Sequence, residues 1–162
     1  MLNILMLTLT LATPKVGELA PDFTATDADG RVQALSTLVK QGPVILAFFP
    51  KAFTPGCTKE LKAYGTQDAA LKTAKAQLLA ISADDRDKMA EFRTSLNATF
   101  SFIPDPDAKL ITLYDVKVPV LTLASRTTFV IDGNRRIVSI TTGNEAIDPK
   151  EALQAAQQAC GR

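Results

Sequence analysis

Residues 44–57 read VILAFFPKAFTPGC. The apolar run from Val44 to Phe49 is bounded by Gly42-Pro43 on one side and Pro50 on the other. That is the pattern of a central strand buried on both faces. After Thr54-Pro55-Gly56 the spacing turns helical and stays so to about Ala74. Pro55 suits the first turn of a helix, where its missing N–H costs nothing. Cys57 therefore stands where a buried strand gives way to a helix. A sulfur there lies in the field of unpaired backbone N–H groups and of the positive helix end. Both favour the thiolate over the thiol, and the thiolate is the reactive form. The bland alternative for a lone cysteine is a small buried hydrophobe. The strand, proline, turn and helix around Cys57 argue against it.

Further along, residues 78–82 (LLAIS) read as a second buried strand, and residues 84–96 as an amphipathic helix with an acidic first turn. Phe102-Ile103 is a brief strand stopped by Pro104 and Pro106, and residues 107–114 are a short helix. Residues 127–131 and 137–141 form a hairpin about Asp132-Gly133-Asn134, and Asp148-Pro149 opens a last helix to about Ala159. Upstream, residues 16–23 are an extended lead-in. Residues 23–26 and 31–35 flank a turn at 27–30, and Ser36 is placed to cap a short helix through Lys40. No repeat, low-complexity tract or linker divides the chain. The order β-α-β … β-β-α predicts one α/β domain over residues 15–162. Its fold class is thioredoxin-like, a central mixed sheet flanked by helices, preceded by an N-terminal extension.

Composition narrows the chemistry. The 162 residues are 46% hydrophobic with a net charge of +1, which predicts a packed core and no nucleic-acid partner. Histidine is absent. That excludes a Ser-His-Asp triad, a Cys-His dyad and histidine-ligated metal sites. The 2 cysteines, Cys57 and Cys160, are too few for a cysteine-only zinc site or a disulfide scaffold. No metal or cofactor is expected. Residues 1–12 read MLNILMLTLTLA, too short to span a bilayer. Within the apolar segment 1–14 they match the apolar part of a secretory signal, without its basic start. Export is the leading reading; a cytoplasmic protein with an extra strand or tail is the alternative.

Pro50, Thr54 and Cys57 match the P-x-x-x-T-x-x-C motif of peroxiredoxins. Phe48-Phe-Pro-Lys51 and Thr54-Pro-Gly-Cys-Thr-Lys-Glu60 resemble the Q-type branch, also called bacterioferritin comigratory protein, of the alkyl hydroperoxide reductase C and thiol-specific antioxidant superfamily. Val16-Gly-Glu-Leu-Ala-Pro-Asp-Phe23 resembles the family's opening, and Ser125-Arg-Thr-Thr-Phe-Val-Ile-Asp132 the strand that supplies its arginine. The blocks agree in order and spacing from about Lys15 to the last helix. The resemblance implies a thiol-dependent peroxidase for hydrogen peroxide and organic hydroperoxides. In it Cys57 is the nucleophile, Thr54 orients the peroxide, Arg126 holds the thiolate and the leaving oxygen, and Pro50 shields the sulfur. Glu60 resembles the family's supporting glutamate; a first-turn charge favoured by the helix dipole is the equal alternative. The implied reductant is an external thiol such as thioredoxin, glutaredoxin or glutathione, and the implied state a monomer or homodimer.

Many Q-type members carry a resolving cysteine five positions after the first, where this chain has Lys62. Cys160 is the remaining candidate. A one-cysteine cycle resolved by an external thiol is favoured over a two-cysteine cycle through Cys160, because a bridge needs Cα atoms within about 7 Å. The nearest rival, a disulfide oxidoreductase of the same fold, uses C-x-x-C, where this chain has Thr54-Pro-Gly-Cys57. The other rival, a non-catalytic binding protein, is opposed by the intact set Pro50, Thr54, Cys57 and Arg126.

Overall fold

In the computed structural model, which describes residues 12–161, the 44–49 run is the middle strand of a five-stranded sheet. A two-stranded ribbon comes first, β1 (Thr24–Thr26) and β2 (Val32–Ala34), followed by the single turn α1 (Leu35–Leu38). Then come β3 (Val44–Phe48), α2 (Pro55–Gly65), α3 (Asp68–Thr73), β4 (Gln77–Ser82), α4 (Arg86–Ser95), β5 (Ser101–Pro104) and α5 (Lys109–Leu113). The hairpin β6 (Thr127–Ile131) and β7 (Ile137–Thr142), a 3₁₀ turn (Glu145–Ile147) and α6 (Lys150–Ala159) close the chain. The sheet order is β5-β4-β3-β6-β7. Strands β3, β4 and β5 run parallel, while β6 pairs antiparallel with β3 and with β7. This is the mixed, helix-flanked sheet of the thioredoxin-like class.

Strand β3 is apolar throughout because both of its faces are covered. Val44, Leu46 and Phe48 pack with Leu35, Val39, Ile111 and Tyr114. Ile45 and Ala47, with Phe49 beyond them, pack on the other side with Leu61, Met89, Phe92 and Ala156. Each large side chain so buried contributes about 1.5–3 kcal/mol relative to exposure. The lead-in lies along the hairpin, with Gly17 N–H donating to Ile137 O and Ala20 N–H to Arg135 O, both at 2.8 Å.

The helix expected from Cys57 to Ala74 is two helices. It breaks at Thr66-Gln67, just after Gly65, where low helix propensity meets a Thr66 hydroxyl donating back to Ala63 O at 2.7 Å. Ser36 does not cap α1. It sits inside the helix, and its N–H donates to Asp22 Oδ1 at 3.2 Å, so the upstream aspartate does the capping. Helix α4 starts after Asp85, whose carboxylate accepts from Lys88 N–H, and this frees Asp84 for another role. The segment 1–11, and with it most of the proposed export signal, lies outside the described residues.

Two consequences of the topology place the site. The pairing of Phe48 with Thr127 brings the C-terminal end of β3 beside the N-terminal end of β6. The turn into α2 and the residue just before β6 therefore meet at one end of the sheet. Pro43 and Gly133 mark its other end, just beyond the pairing of Val44 with Ile131.

Candidate active site

Strand β3 delivers the chain to Pro50, which is half-buried, and the turn that follows is held from β4. Ala52 N–H donates to Asp84 Oδ2 at 2.8 Å, and Ser82 Oγ donates to the same oxygen at 2.7 Å. Phe53 adopts a left-handed φ of +65°, uncommon for a bulky residue, and is 50% exposed. A strained, pinned turn of this kind is where a functional side chain is commonly presented.

Thr54 occupies the N-cap position of α2 without capping it. Its hydroxyl donates instead to Lys51 O at 2.7 Å. The oxygen lone pairs remain as acceptors, and among the described residues no side chain takes the N–H groups of the first turn. No acidic residue stands in that turn either. The positive end of α2 is thus left to the sulfur of Cys57, which is only 1% exposed.

Arg126 reaches across from the start of β6. Its Nη2 lies 3.4 Å from Cys57 Sγ, and its Nη1 is hydrogen-bonded to Glu60 Oε2. Glu60 is completely buried. Burial pushes its carboxyl up to about 7, against the charge of Arg126 and the bond from it, which pull the other way. Burial works against the Arg126 cation in turn, but the charges of Glu60 and Cys57 outweigh that and hold the guanidinium above its ordinary range. The fork is locked on one side by a carboxylate and aimed on the other at the sulfur.

Glycine at position 56 is what lets the fork approach. A Cβ there would sit 2.9 Å from Arg126 Nη2, below any normal contact. Gly56→Ala is expected to displace the guanidinium and slow the reaction of Cys57 with peroxide by about 10- to 100-fold, since misplacement on the ångström scale costs that much. Stopped-flow kinetics of the variant check this; an unchanged rate would mean that Arg126 has room to spare.

Cys57, Arg126 and Glu60 converge, with Thr54 at the N-cap position of the helix that carries Cys57 and Glu60 and Pro50 opening the turn before it. Cys160 does not join them. It ends α6, half-buried beside Val39, Gly42, Pro43, Lys75 and Gly133. From Pro43 to Phe49 the strand covers roughly 20 Å at about 3.3 Å per residue. That puts Cys160 at the wrong end of the sheet for a bridge within one chain, which requires about 7 Å. Asp84, Tyr64 and Thr128 belong to the surroundings of the site and were not read from the sequence. Asp84 reads there as an ordinary first-turn acid. Only the adjacency of β3 and β4 reveals that it faces the turn at Ala52.

Residues 16–140 match the AhpC/TSA family. The chain is similar to peroxidoxin BcpB of Mycobacterium tuberculosis, with a TM-score of 0.83 and 31% identity over 90% of this chain and 97% of that one. It is 36% identical over 119 residues to the chloroplastic peroxiredoxin Q of Oryza sativa subsp. japonica, covering 73% of this chain and about half, 54%, of the rice protein. The fold is also that of a Cys-to-Ser variant of PrxQ from Xylella fastidiosa, with a TM-score of 0.78 at 21% identity, covering 91% of this chain and 98% of that one. A cysteine held at a helix start under a locked arginine, in a chain matched over this length, leaves neither a disulfide oxidoreductase nor a binding protein as the better reading: the chain belongs to the AhpC/TSA family, and it is a peroxiredoxin, a thiol peroxidase that reduces hydroperoxides.

Proposed function

We propose that Cys57 is the residue that attacks the peroxide, and that the enzyme runs a one-cysteine cycle resolved by an external thiol. The observation that carries the first part is the 3.4 Å approach of Arg126 Nη2 to Cys57 Sγ at the uncapped start of α2. The thiolate attacks the terminal peroxide oxygen. An S–O bond forms as the O–O bond breaks, and the oxygen attacked stays on sulfur as a sulfenic acid. The other oxygen leaves with the bonding electrons and takes a proton to become water or alcohol. Arg126 and the first-turn N–H groups stabilise the charge that develops during this transfer. Thr54, its own proton committed to Lys51 O, accepts the hydroperoxide O–H and so orients the substrate. Pro50 closes the turn over the sulfur and keeps water away. Glu60 fixes the guanidinium.

The placement of Cys160 supports the second part, because no described residue near Cys57 offers a second thiol. A small thiol or a thioredoxin- or glutaredoxin-type protein then attacks the sulfenic acid and releases water. After one equivalent of hydrogen peroxide, trapping with dimedone followed by mass spectrometry is expected to give an adduct on Cys57, with Cys160 alkylatable as before. A Cys57–Cys160 crosslink, within one chain or between two, would replace this with a two-cysteine cycle.

A further inference from the structure

Behind the line of Cys57, Arg126 and Glu60 lies a second polar group that the peroxide chemistry does not use. Glu60 commits Oε2 to Arg126, while its Oε1 is buried with no hydrogen-bond partner among the described residues. Tyr64 follows four residues later on the same face of α2 and is 1% exposed. Thr128, two residues after Arg126, shares its side of β6 and is also 1% exposed. The Tyr64 hydroxyl and Thr128 Oγ1 are buried and unpartnered as well. Tyr64 stands one helical turn from Glu60, and Thr128 lies close enough to the phenol to act on it. Burial and then the charge of Glu60 drive the Tyr64 phenol above its ordinary range, and nearby Thr128 opposes the rise without closing a hydrogen bond of normal geometry. Tyr64 is therefore a protonated donor at any working pH. Thr128 is a second donor, and Glu60 Oε1 is the unpartnered acceptor on the same helix as Tyr64.

Buried oxygens without partners are rare, because each unmet group carries a desolvation cost. One buried water is the usual way in which such groups are joined where direct bonds do not close.

The charge count gives this cluster a role. One fixed cation, Arg126, stands between two groups that can each be an anion. With both Glu60 and Cys57 ionised, the three groups together carry −1; with one proton on either, they are neutral. A buried site favours the neutral states. One proton placed on either the sulfur or the carboxylate leaves the same total charge. Passing it from Cys57–SH to Glu60–COO⁻ gives Cys57–S⁻ and Glu60–COOH with no change in total charge. The groups that bear on the balance are Arg126 and Cys57 across the site, Tyr64 on the helix, and Asp148 ahead of α6, whose charge also reaches Tyr64.

We propose that Tyr64 and Thr128 are positioning residues that hold Glu60 as the carboxylate by donating to Oε1, directly or through one buried water, and so decide how the site's proton is divided between Glu60 and Cys57. An ionised Glu60 locks the Arg126 fork. Without the two hydroxyls the proton passes to Glu60, the thiolate forms more readily, and the fork loses its anchor. Thiol ionisation and peroxide reactivity then change in opposite senses. A merely structural role would not produce that split.

The proposal rests on Cys57 and Arg126 acting as described above, but its test needs no peroxide. In a Cys160→Ser background, the rate of Cys57 alkylation by iodoacetamide is followed against pH. Tyr64→Phe, which keeps the ring, is expected to lower the midpoint by about one pH unit, the scale of one lost hydrogen bond to a charged group. Thr128→Val is expected to lower it in the same direction by less, and serves alone if the tyrosine variant does not fold. With Glu60→Gln already present, neither substitution is expected to move the midpoint further. An unmoved midpoint in the protein that retains Glu60, or an equal shift in the Glu60→Gln background, overturns the proposal. If peroxide consumption survives loss of Cys57, the catalytic assignment falls instead, and the alkylation profile still reports on Tyr64.

Discussion

Cys57→Ser is expected to abolish peroxide consumption, by roughly four orders of magnitude or more, while leaving the fold intact. The change is nearly isosteric, at a side chain only 1% exposed, so packing against Leu61 and Phe49 is kept. The chemistry is lost because a serine hydroxyl has no accessible anion near neutral pH. Neither the helix end nor the guanidinium is strong enough to ionise it. Cys160 cannot substitute, being at the far end of the sheet. Peroxide consumption measured with excess dithiothreitol, beside circular dichroism of the same sample, separates lost chemistry from lost structure. Retained turnover in the folded serine variant would move the reaction to another group.

The sheet's centre was legible because β3 has no polar face to hide, and a both-sides-apolar run of that length admits few readings. Cys57 and Thr54 were legible for a related reason: proline, turn and helix start are local features, written in adjacent residues. Arg126 came from the order of the matching blocks, since nothing within its own segment says that it crosses the sheet to the sulfur. The pairing of Phe48 with Thr127 does that, and such register is a long-range property. From the sequence Glu60 reads equally as a first-turn charge favoured by the helix dipole and as a supporting group. Complete burial and the bond from Arg126 favour the second. Nothing local in the sequence singles out Tyr64. Its hydroxyl acquires meaning only when β6 brings Thr128 beside it. The break after Gly65 was missed for the opposite reason, an apolar periodicity that continues straight through a local stop.

Arg126→Ala is expected to slow the reaction of Cys57 with hydrogen peroxide by about 10²–10³-fold, the usual cost of removing one preorganised donor from developing negative charge. The reaction with a bulky alkylating reagent is expected to slow far less, because alkylation needs the thiolate but has no leaving oxygen to stabilise. Arg126→Lys is expected to recover little of the loss, because lysine lacks the rigid planar fork whose Nη1 and Nη2 meet Glu60 Oε2 and the sulfur. Equal slowing of both reactions would confine Arg126 to ionising the thiol. The same substitution also bears on stability, with a defined sign. Glu60 titrates near 7 when folded, above its ordinary 4.5, because burial outweighs Arg126. Between those two values the folded state holds more protons than the unfolded one, so stability falls as pH rises. Removing Arg126 takes away the cation that opposes burial, which raises the folded value further and extends the falling window upward. The alanine variant should therefore lie close to the parent in stability at pH 5, where Glu60 is already protonated, and fall behind it by up to about 1.4 kcal/mol for each pH unit above 7. Urea unfolding at pH 5, 7 and 9 measures the gap, and a gap independent of pH would mean that Glu60 does not depend on Arg126 for its charge.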